Sequence, residues 1–150
     1  MFKKIFAPGN DSFCTSLALL TLRLWLGTTM LLNHGLAKIK GFSAMAPDFA
    51  DPFGIGHTTS LALAVFAEVV ASALLLLGLV TRFAALVLGL NMAVAFSVVH
   101  KGALSGKHSG ELAFIYLAGC AVLLIAGAGR ISMDKAFFGG GSKPPAPSKK

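Results

Sequence analysis

The sequence predicts an all-α integral membrane protein, a bundle of four transmembrane helices with both termini in the cytoplasm. Three observations lead to this fold class. The 150-residue chain has a mean hydropathy of +0.78 and only 13% charged residues, whereas soluble domains carry about 25%. Its apolar residues gather in four long stretches. Its basic residues are concentrated on one side of those stretches.

The four apolar stretches have the length of membrane-crossing helices, for which about 20 residues are needed. They cover approximately residues 13–37, 58–80, 83–99 and 110–128. Leucine, alanine and valine dominate them, and the strict alternation that is typical of barrel strands is absent. The first stretch contains Arg23 and is longer than the apolar core of a signal peptide, so we interpret it as a retained helix.

The remaining segments complete the predicted organisation of the chain. Residues 1–12 are predicted to be a cytoplasmic N-terminal segment, residues 13–138 the transmembrane domain, and residues 139–150 a disordered basic tail. Eight basic residues fall on the side of the termini and four on the opposite side, and this bias places both termini in the cytoplasm. No basic face interleaved with aromatic residues is found, so the net charge of +7 does not indicate nucleic-acid binding.

Four polar side chains are predicted to lie near the middle of the membrane. Counting along each helix at about 1.5 Å per residue places Arg23, Glu68, Asn91 and Tyr116 at similar depths. Charged groups inside a membrane usually face the bundle interior and pair with one another. We therefore expect an Arg23–Glu68 ion pair with Asn91 beside it. Such a pair either fixes the register of the helices or seals a proton or ligand site.

A second polar layer is predicted near the outer face. His34 and Lys38, one helical turn apart, end the first span, His100 ends the third, and Glu111 opens the fourth. Together with Tyr116 they are candidates for binding a quinone or another ligand and for handling protons. Two imidazoles and a carboxylate can also bind a transition metal, but no HxxH or ExxH spacing supports one, and no metal ligand is assigned. Ordinary polarity at helix ends is the simplest alternative.

Three motifs follow one another between residues 15 and 138. The first is R-x-x-x-G followed by H-G-x-x-K, the second is a glutamate followed by L-G-L-x-T-R, and the third is the segment "SGELAFIYLAGCAVLLIAGAGRISMDK". In this order they resemble the DoxX family of small bacterial membrane proteins. The matching residues are Arg23, Gly27, His34, Gly35, Lys38, Glu68, Gly78, Thr81, Arg82, Glu111, Tyr116, Gly127, Gly129, Ser132 and Asp134.

This resemblance implies a four-helix bundle in the inner (cytoplasmic) membrane of a bacterial cell. The family's name derives from a subunit associated with a thiosulfate:quinone oxidoreductase of an archaeal terminal oxidase system. Other members are linked to oxidative-stress or thiol-redox complexes at the membrane. The implied function is an integral membrane subunit of a redox complex, whose polar clusters dock quinone or handle protons. Because the sequence has no haem or flavin motif, electrons would come from a partner oxidoreductase.

Two other functions stay open at this point. The chain can be a non-catalytic scaffold in the lipid bilayer that recruits a partner protein. It can also be a small-molecule or proton transporter, for which a homo-oligomer is expected because four helices enclose little volume. No GxSxG, P-loop or dinucleotide-binding motif indicates a soluble-type enzyme. Whether the chain is itself an enzyme is therefore left open by its sequence.

Overall fold

The structure, a computed structural model, describes residues 12–139. The predicted N-terminal segment up to residue 11 and the predicted basic tail from residue 140 lie outside the described residues. Within the described range all regular secondary structure is helical and no strand occurs. The predicted all-α fold class is thereby confirmed.

Four long helices form a bundle, and a short fifth helix lies at one end of it. They are α1 (Phe13–Lys40), α2 (His57–Leu77), α3 (Thr81–Val99), α4 (Glu111–Ala126) and α5 (Met133–Phe138). Helices α1, α2 and α3 have 28, 21 and 19 residues and are long and apolar enough to cross a membrane. Helix α4 is apolar but has 16 residues, so it is about 24 Å long.

The bundle has two distinct ends. The start of α1, the turn between α2 and α3, and helix α5 meet at one end, which we call the termini end; there the backbone N–H of Arg130 donates to Ser16 Oγ at 3.1 Å. The other end, the loop end, carries the α3–α4 connection and the α1–α2 connection. The latter contains two short helical turns, Phe42–Met45 and Ala46–Asp48.

The core lies between the four long helices and is apolar. Helix α3 packs along α4, and α1 packs on α2. The largest fully buried apolar side chains are Met30, Leu61, Leu75, Leu88 and Leu123. Many large apolar side chains are instead exposed on the outside of the bundle. A soluble protein would avoid so large an apolar surface, whereas a bilayer covers it with lipid.

Each of the three longest helices contains one five-residue π-helical segment. These segments are Leu31–Gly35 in α1, Ala67–Ala71 in α2 and Ala95–Val99 in α3. A π-helical turn holds an extra residue and changes the face that the following residues present, and such turns are frequent at functional sites. The segments of α1 and α2 contact each other, and the candidate site is built there.

Asp134 of α5 connects two of the elements that meet at the termini end, namely α5 and the α2–α3 turn. Its carboxylate oxygens accept hydrogen bonds from the backbone N–H groups of Val80 at 2.6 Å and Thr81 at 2.9 Å. Its own N–H donates to Gly78 O at 2.8 Å. The first N–H groups of a helix lack intrahelical partners and lie at the positive end of the helix dipole. Asp134 therefore caps α3 and fixes α5 to the α2–α3 turn.

The predicted Arg23–Glu68 ion pair is wrong. Arg23 is 1% exposed, and its guanidinium donates to Leu75 O at 3.2 Å and to Ile131 O. Leu75 belongs to the C-terminal end of α2, where the carbonyl groups form the negative end of the helix dipole. Glu68 pairs with Lys38 instead. The arginine thus fastens α1 to the termini end and contributes nothing to a mid-membrane pair.

The direction of side chains on a helix explains this difference. The Cα–Cβ bonds of an α-helix tilt toward its N-terminus. In α1 that direction is toward the termini end. The guanidinium of Arg23 therefore points away from the middle of the membrane, and the ammonium of Lys38 points into it from the loop end. A residue count along the helix gives the depth of a Cα atom but not the depth of the charged group.

We expect Gly78→Ala to destabilise the fold. Gly78 has a φ of 65°, and a Cβ there would lie 2.8 Å from Arg23 Cζ. Relieving that collision should cost roughly 1–3 kcal/mol beyond the effect of the φ angle. Thermal unfolding in detergent, followed by circular dichroism, measures the loss. Gly54→Ala is the matched control, because Gly54 has the same φ and nothing within 4 Å of its Cβ position. Equal losses for both variants would contradict this prediction.

Candidate functional site

An ion pair between α1 and α2 lies inside the bundle. Lys38 Nζ donates to both carboxylate oxygens of Glu68, at 2.9 Å to Oε1 and 2.7 Å to Oε2. The two side chains are 18% and 5% exposed. A single charge inside a membrane bundle is unfavourable and usually marks a functional site. Pairing leaves this site with two opposite charges and no net charge.

The helices reach this contact because their backbones approach closely. The π-helical segment of α1 ends at Gly35, where a Cβ would lie 2.8 Å from Val69 Cγ2 and 3.2 Å from Glu68 O. A larger residue at this position would push α1 away from α2. Lys38 follows one turn later, and its flexible four-carbon stem bridges the remaining gap.

Asn91 connects a third helix, α3, to the ion pair. Its Nδ2 donates to Glu68 Oε1 at 3.3 Å, so the structure brings together two of the residues predicted to lie at mid-membrane depth. A lysine ammonium has three N–H donors and an asparagine amide has two. Two donors of Lys38 and one of Asn91 bind Glu68. Each of the two side chains therefore retains one donor for a ligand.

A cavity of about 690 Å³ lies beside this cluster, between α2, α3 and the α1–α2 connection. Small-molecule sites in proteins usually have about 300–1,000 Å³ and apolar walls with a few polar groups. Here Lys38, Glu68, Asn91 and His100 provide polar groups. Apolar side chains form most of the remaining wall, among them Phe49, Phe53, Leu63, Phe66, Leu90 and Val94.

Asp51 shapes the wall that the α1–α2 connection contributes. Its carboxylate accepts hydrogen bonds from Ser60 Oγ at 2.7 Å, Gly56 N at 2.8 Å and Ile55 N at 3.1 Å. These three bonds, led by that of Ser60, hold the pKa of Asp51 below its usual value. The connection is thereby folded onto the start of α2, where it covers the loop end of the cavity.

His34 lies on the α4 side of α1, beside Tyr116. Its ring meets that of Tyr116 edge-on, with centroids 5.9 Å apart and an interplanar angle of 85°. Tyr116 Oη donates to Thr29 Oγ1 at 2.7 Å. His34 also interacts electrostatically with Lys38 and Glu68. The structure therefore places three of the predicted site residues, His34, Lys38 and Tyr116, next to Glu68 or next to one another.

The other two residues predicted for the outer layer form no hydrogen bond or ion pair with this group within residues 12–139. His100 lines the cavity, and its Nδ1 lies 3.1 Å from His108 O. Glu111 is exposed at the start of α4, where its backbone N–H donates to Ser109 Oγ at 3.1 Å. Across residues 12–139 the ion pair of Lys38 and Glu68 is the only one found, so Glu111 does not pair with a histidine or lysine there.

A metal centre finds no support in the described part of the chain. Among those residues no three histidine, cysteine, aspartate or glutamate side chains converge as metal ligands. The arrangement offers instead one carboxylate, one ammonium and one amide at the wall of an apolar cavity. Such groups can hydrogen-bond a neutral polar head group and can exchange a proton with it.

Sequence reasoning missed the apolar residues that enclose the cavity. Phe49 and Phe53 stand out as aromatic residues in a glycine- and proline-containing connection, which was a usable signal for a surface that touches lipid or ligand. Leu63, Phe66 and Leu90 carry no such signal, because leucine and phenylalanine are common throughout the spans. Only the packing of α2 against α3 separates them from other lipid-facing residues.

The DoxX family model matches residues 18–101, which include Lys38, Glu68 and Asn91. The chain belongs to the DoxX family. This DoxX-family protein is 35% identical over 117 residues to an uncharacterized protein of Haemophilus influenzae, and that match covers 73% of this chain and 83% of the relative. No solved structure matches this DoxX-family chain. The family and the membrane-length helices together identify a multi-pass membrane protein.

Breaking the Lys38–Glu68 pair should destabilise the bundle strongly. Removing one partner by Lys38→Met or Glu68→Gln leaves the other without its partner, which typically costs about 3–5 kcal/mol for a buried pair. The double variant should lose less than the sum of the two single losses. Titrating each variant in mixed micelles with increasing dodecyl sulfate, which unfolds the protein, measures its free energy of unfolding.

Lys40→Met is the control for this cycle, because Lys40 is exposed two residues later on the same helix. It should change the free energy of unfolding little, since exposed charges contribute little to stability. Strict additivity of the Lys38 and Glu68 losses would show that the pair is not coupled.

Asp51→Asn should loosen the α1–α2 connection. The amide cannot accept the same set of hydrogen bonds as the carboxylate, so the N–H groups of Ile55 and Gly56 should exchange with deuterium faster at neutral pH. Because the folded-state pKa of Asp51 is lowered, the stabilisation by its ionised form is present above the unfolded-state pKa. It is lost as the pH falls through the lowered folded-state value.

Hydrogen exchange measured by mass spectrometry tests this prediction. Asp48→Asn, an exposed aspartate in the same connection, serves as the control and should leave exchange at Ile55 and Gly56 unchanged. The same exchange rates in wild type and Asp51→Asn at neutral pH would disprove the role of Asp51.

Proposed function

We propose that this DoxX-family protein is a membrane subunit of a redox complex and that it docks the head group of a quinone in the cavity beside Lys38, Glu68 and Asn91. The single observation that carries this proposal is an apolar cavity of about 690 Å³ whose wall holds a paired carboxylate and ammonium. The family's link to membrane redox and stress functions supports a role in a redox complex. A bacterial inner membrane is the location that we propose for it.

Access to the cavity favours a ligand that is dissolved in the membrane. Three apolar residues of its wall, Leu63, Phe66 and Leu90, are exposed on the outside of the bundle, by 55%, 50% and 60%. They belong to helices that cross the apolar region. A molecule with an isoprenoid tail could therefore enter sideways from the lipid, with its tail remaining against these side chains.

The polar groups suit a neutral head group that accepts hydrogen bonds. The charges of Lys38 and Glu68 compensate each other, so an ion would gain little from binding there. A quinone carbonyl oxygen could accept the remaining N–H donors of Lys38 and Asn91. When the head group changes its redox state, the Lys38 ammonium is the group of this pair that could give a proton, and the Glu68 carboxylate is the one that could take a proton. The electrons would come from a partner oxidoreductase, since this sequence has no haem or flavin motif.

Photolabelling with an azidoquinone tests the proposal on the purified protein in lipid nanodiscs. We expect labelled peptides from α2 and α3, with labelling suppressed by an excess of short-chain ubiquinone. Leu90→Trp should fill the cavity and lower the labelling by roughly tenfold, which corresponds to about 1.4 kcal/mol. Peptide mass spectrometry identifies the labelled positions.

Leu86→Trp is the matched control, because Leu86 is exposed on α3 one turn away and does not line the cavity. It should be labelled like the wild type. Equal labelling of both tryptophan variants, or labelling spread over all lipid-facing helices, would show that quinone does not occupy the cavity. Proton flux through proteoliposomes of the chain alone would favour a transporter instead.

A further inference from the structure

The net positive charge of residues 12–139 lies at the termini end. At the loop end four basic residues are balanced by four acidic ones: Lys38, Lys40, Lys101 and Lys107, and Asp48, Asp51, Glu68 and Glu111. The termini end of the described bundle has four basic residues, Arg23, Arg82, Arg130 and Lys135, against Asp134 alone. The described residues thus hold eight basic and five acidic side chains, and their net charge of +3 belongs to this end.

Among residues 12–139, the cations at this end form no salt bridge with an acidic side chain. Arg130 is exposed, and Lys135 is half-buried. Arg82 Nη2 donates to the backbone carbonyl of Ile125 at 3.0 Å. The neighbouring Asp134 is buried, and both of its carboxylate oxygens bind backbone N–H groups. No ion pair forms at this end among the described residues.

Exposed apolar side chains lie among these cations. Ile131 follows Arg130 directly and is 40% exposed, and Phe137 of α5 is 63% exposed. An acidic protein segment or a soluble anion would use the cations but not these apolar groups. The boundary of a bilayer offers both, because phosphate groups and the upper part of the acyl chains are found at neighbouring depths.

We propose that an anionic phospholipid binds to one surface at this end, here called the α5 surface. The α5 surface consists of Arg82, Arg130, Ile131, Lys135 and Phe137. The basic side chains contact the phosphate of the lipid, and Ile131 and Phe137 lie against its acyl chains. This lipid site is independent of the proposed quinone cavity, which lies toward the loop end. The bound lipid would tie α5 to the membrane surface and support the packing that Asp134 and Arg23 maintain.

The experiment titrates the full-length protein in a neutral detergent with phosphatidylglycerol, with phosphatidylcholine and with inorganic phosphate. Native mass spectrometry counts the retained lipids, and thermal unfolding reports any stabilisation. Phosphatidylglycerol should be retained and should raise the unfolding temperature, whereas phosphatidylcholine and inorganic phosphate should do neither. In Arg130→Gln/Lys135→Gln the affinity for phosphatidylglycerol should fall by roughly fivefold for each cation removed.

Two further variants separate a lipid site from a general effect of charge. Lys101→Gln/Lys107→Gln removes two exposed lysines at the loop end and should bind phosphatidylglycerol like the wild type. Arg130→Lys/Lys135→Arg retains both charges and should retain binding. Equal binding of phosphatidylcholine, or an equal loss in the loop-end variant, would overturn the proposal. Binding of inorganic phosphate with the same dependence on Arg130 and Lys135 would also overturn it, in favour of a soluble anion.

Discussion

The contact between Lys38 and Glu68 constrains how the helices pack toward the loop end of this bundle. Neither charge can stay in an apolar interior without the other, so the helices that carry them have to remain close. Gly35 permits this approach, and the π-helical segments of α1 and α2 contact each other at the same level. Asn91 of α3 donates a further hydrogen bond to Glu68. A cavity beside this cluster is possible because the two charges compensate each other before any ligand arrives.

The termini end follows a different principle, in which charged side chains bind backbone groups at helix ends. Arg23 reaches carbonyl oxygens of α2 and of the segment before α5, and Asp134 reaches N–H groups at the start of α3. Gly78 and Thr81, which lie within the residues that the DoxX family model matches, belong to this end together with Asp134. Their role is to fasten helices, while the candidate ligand site lies nearer the loop end. The division separates the end where side chains fasten the helices from the end that holds the candidate ligand site.

Much of the candidate site was visible in the sequence as individual residues. Glu68 and Asn91 are recognisable because polar groups inside apolar spans are rare and usually face the interior. His34 and Lys38 are recognisable as polar residues at the end of the first span. The sequence did not show which of these residues lie next to one another in the fold. Arg23 was assigned to Glu68 by depth, and Lys38 was assigned to an outer layer with His100 and Glu111. The structure pairs Lys38 with Glu68, because a long side chain that tilts toward the helix N-terminus carries its charge to another depth.

The sequence by itself determined the fold class, the presence of apolar helices and the excess of basic residues near the termini. These properties follow from local hydropathy and charge, which need no knowledge of neighbouring helices. Only the tertiary structure decided the partner of each buried charge, the bond between Asp134 and the start of α3, and the cavity between α2 and α3. Such features depend on how each helix is rotated about its axis. The π-helical segments change that rotation in a way that residue spacing does not reveal.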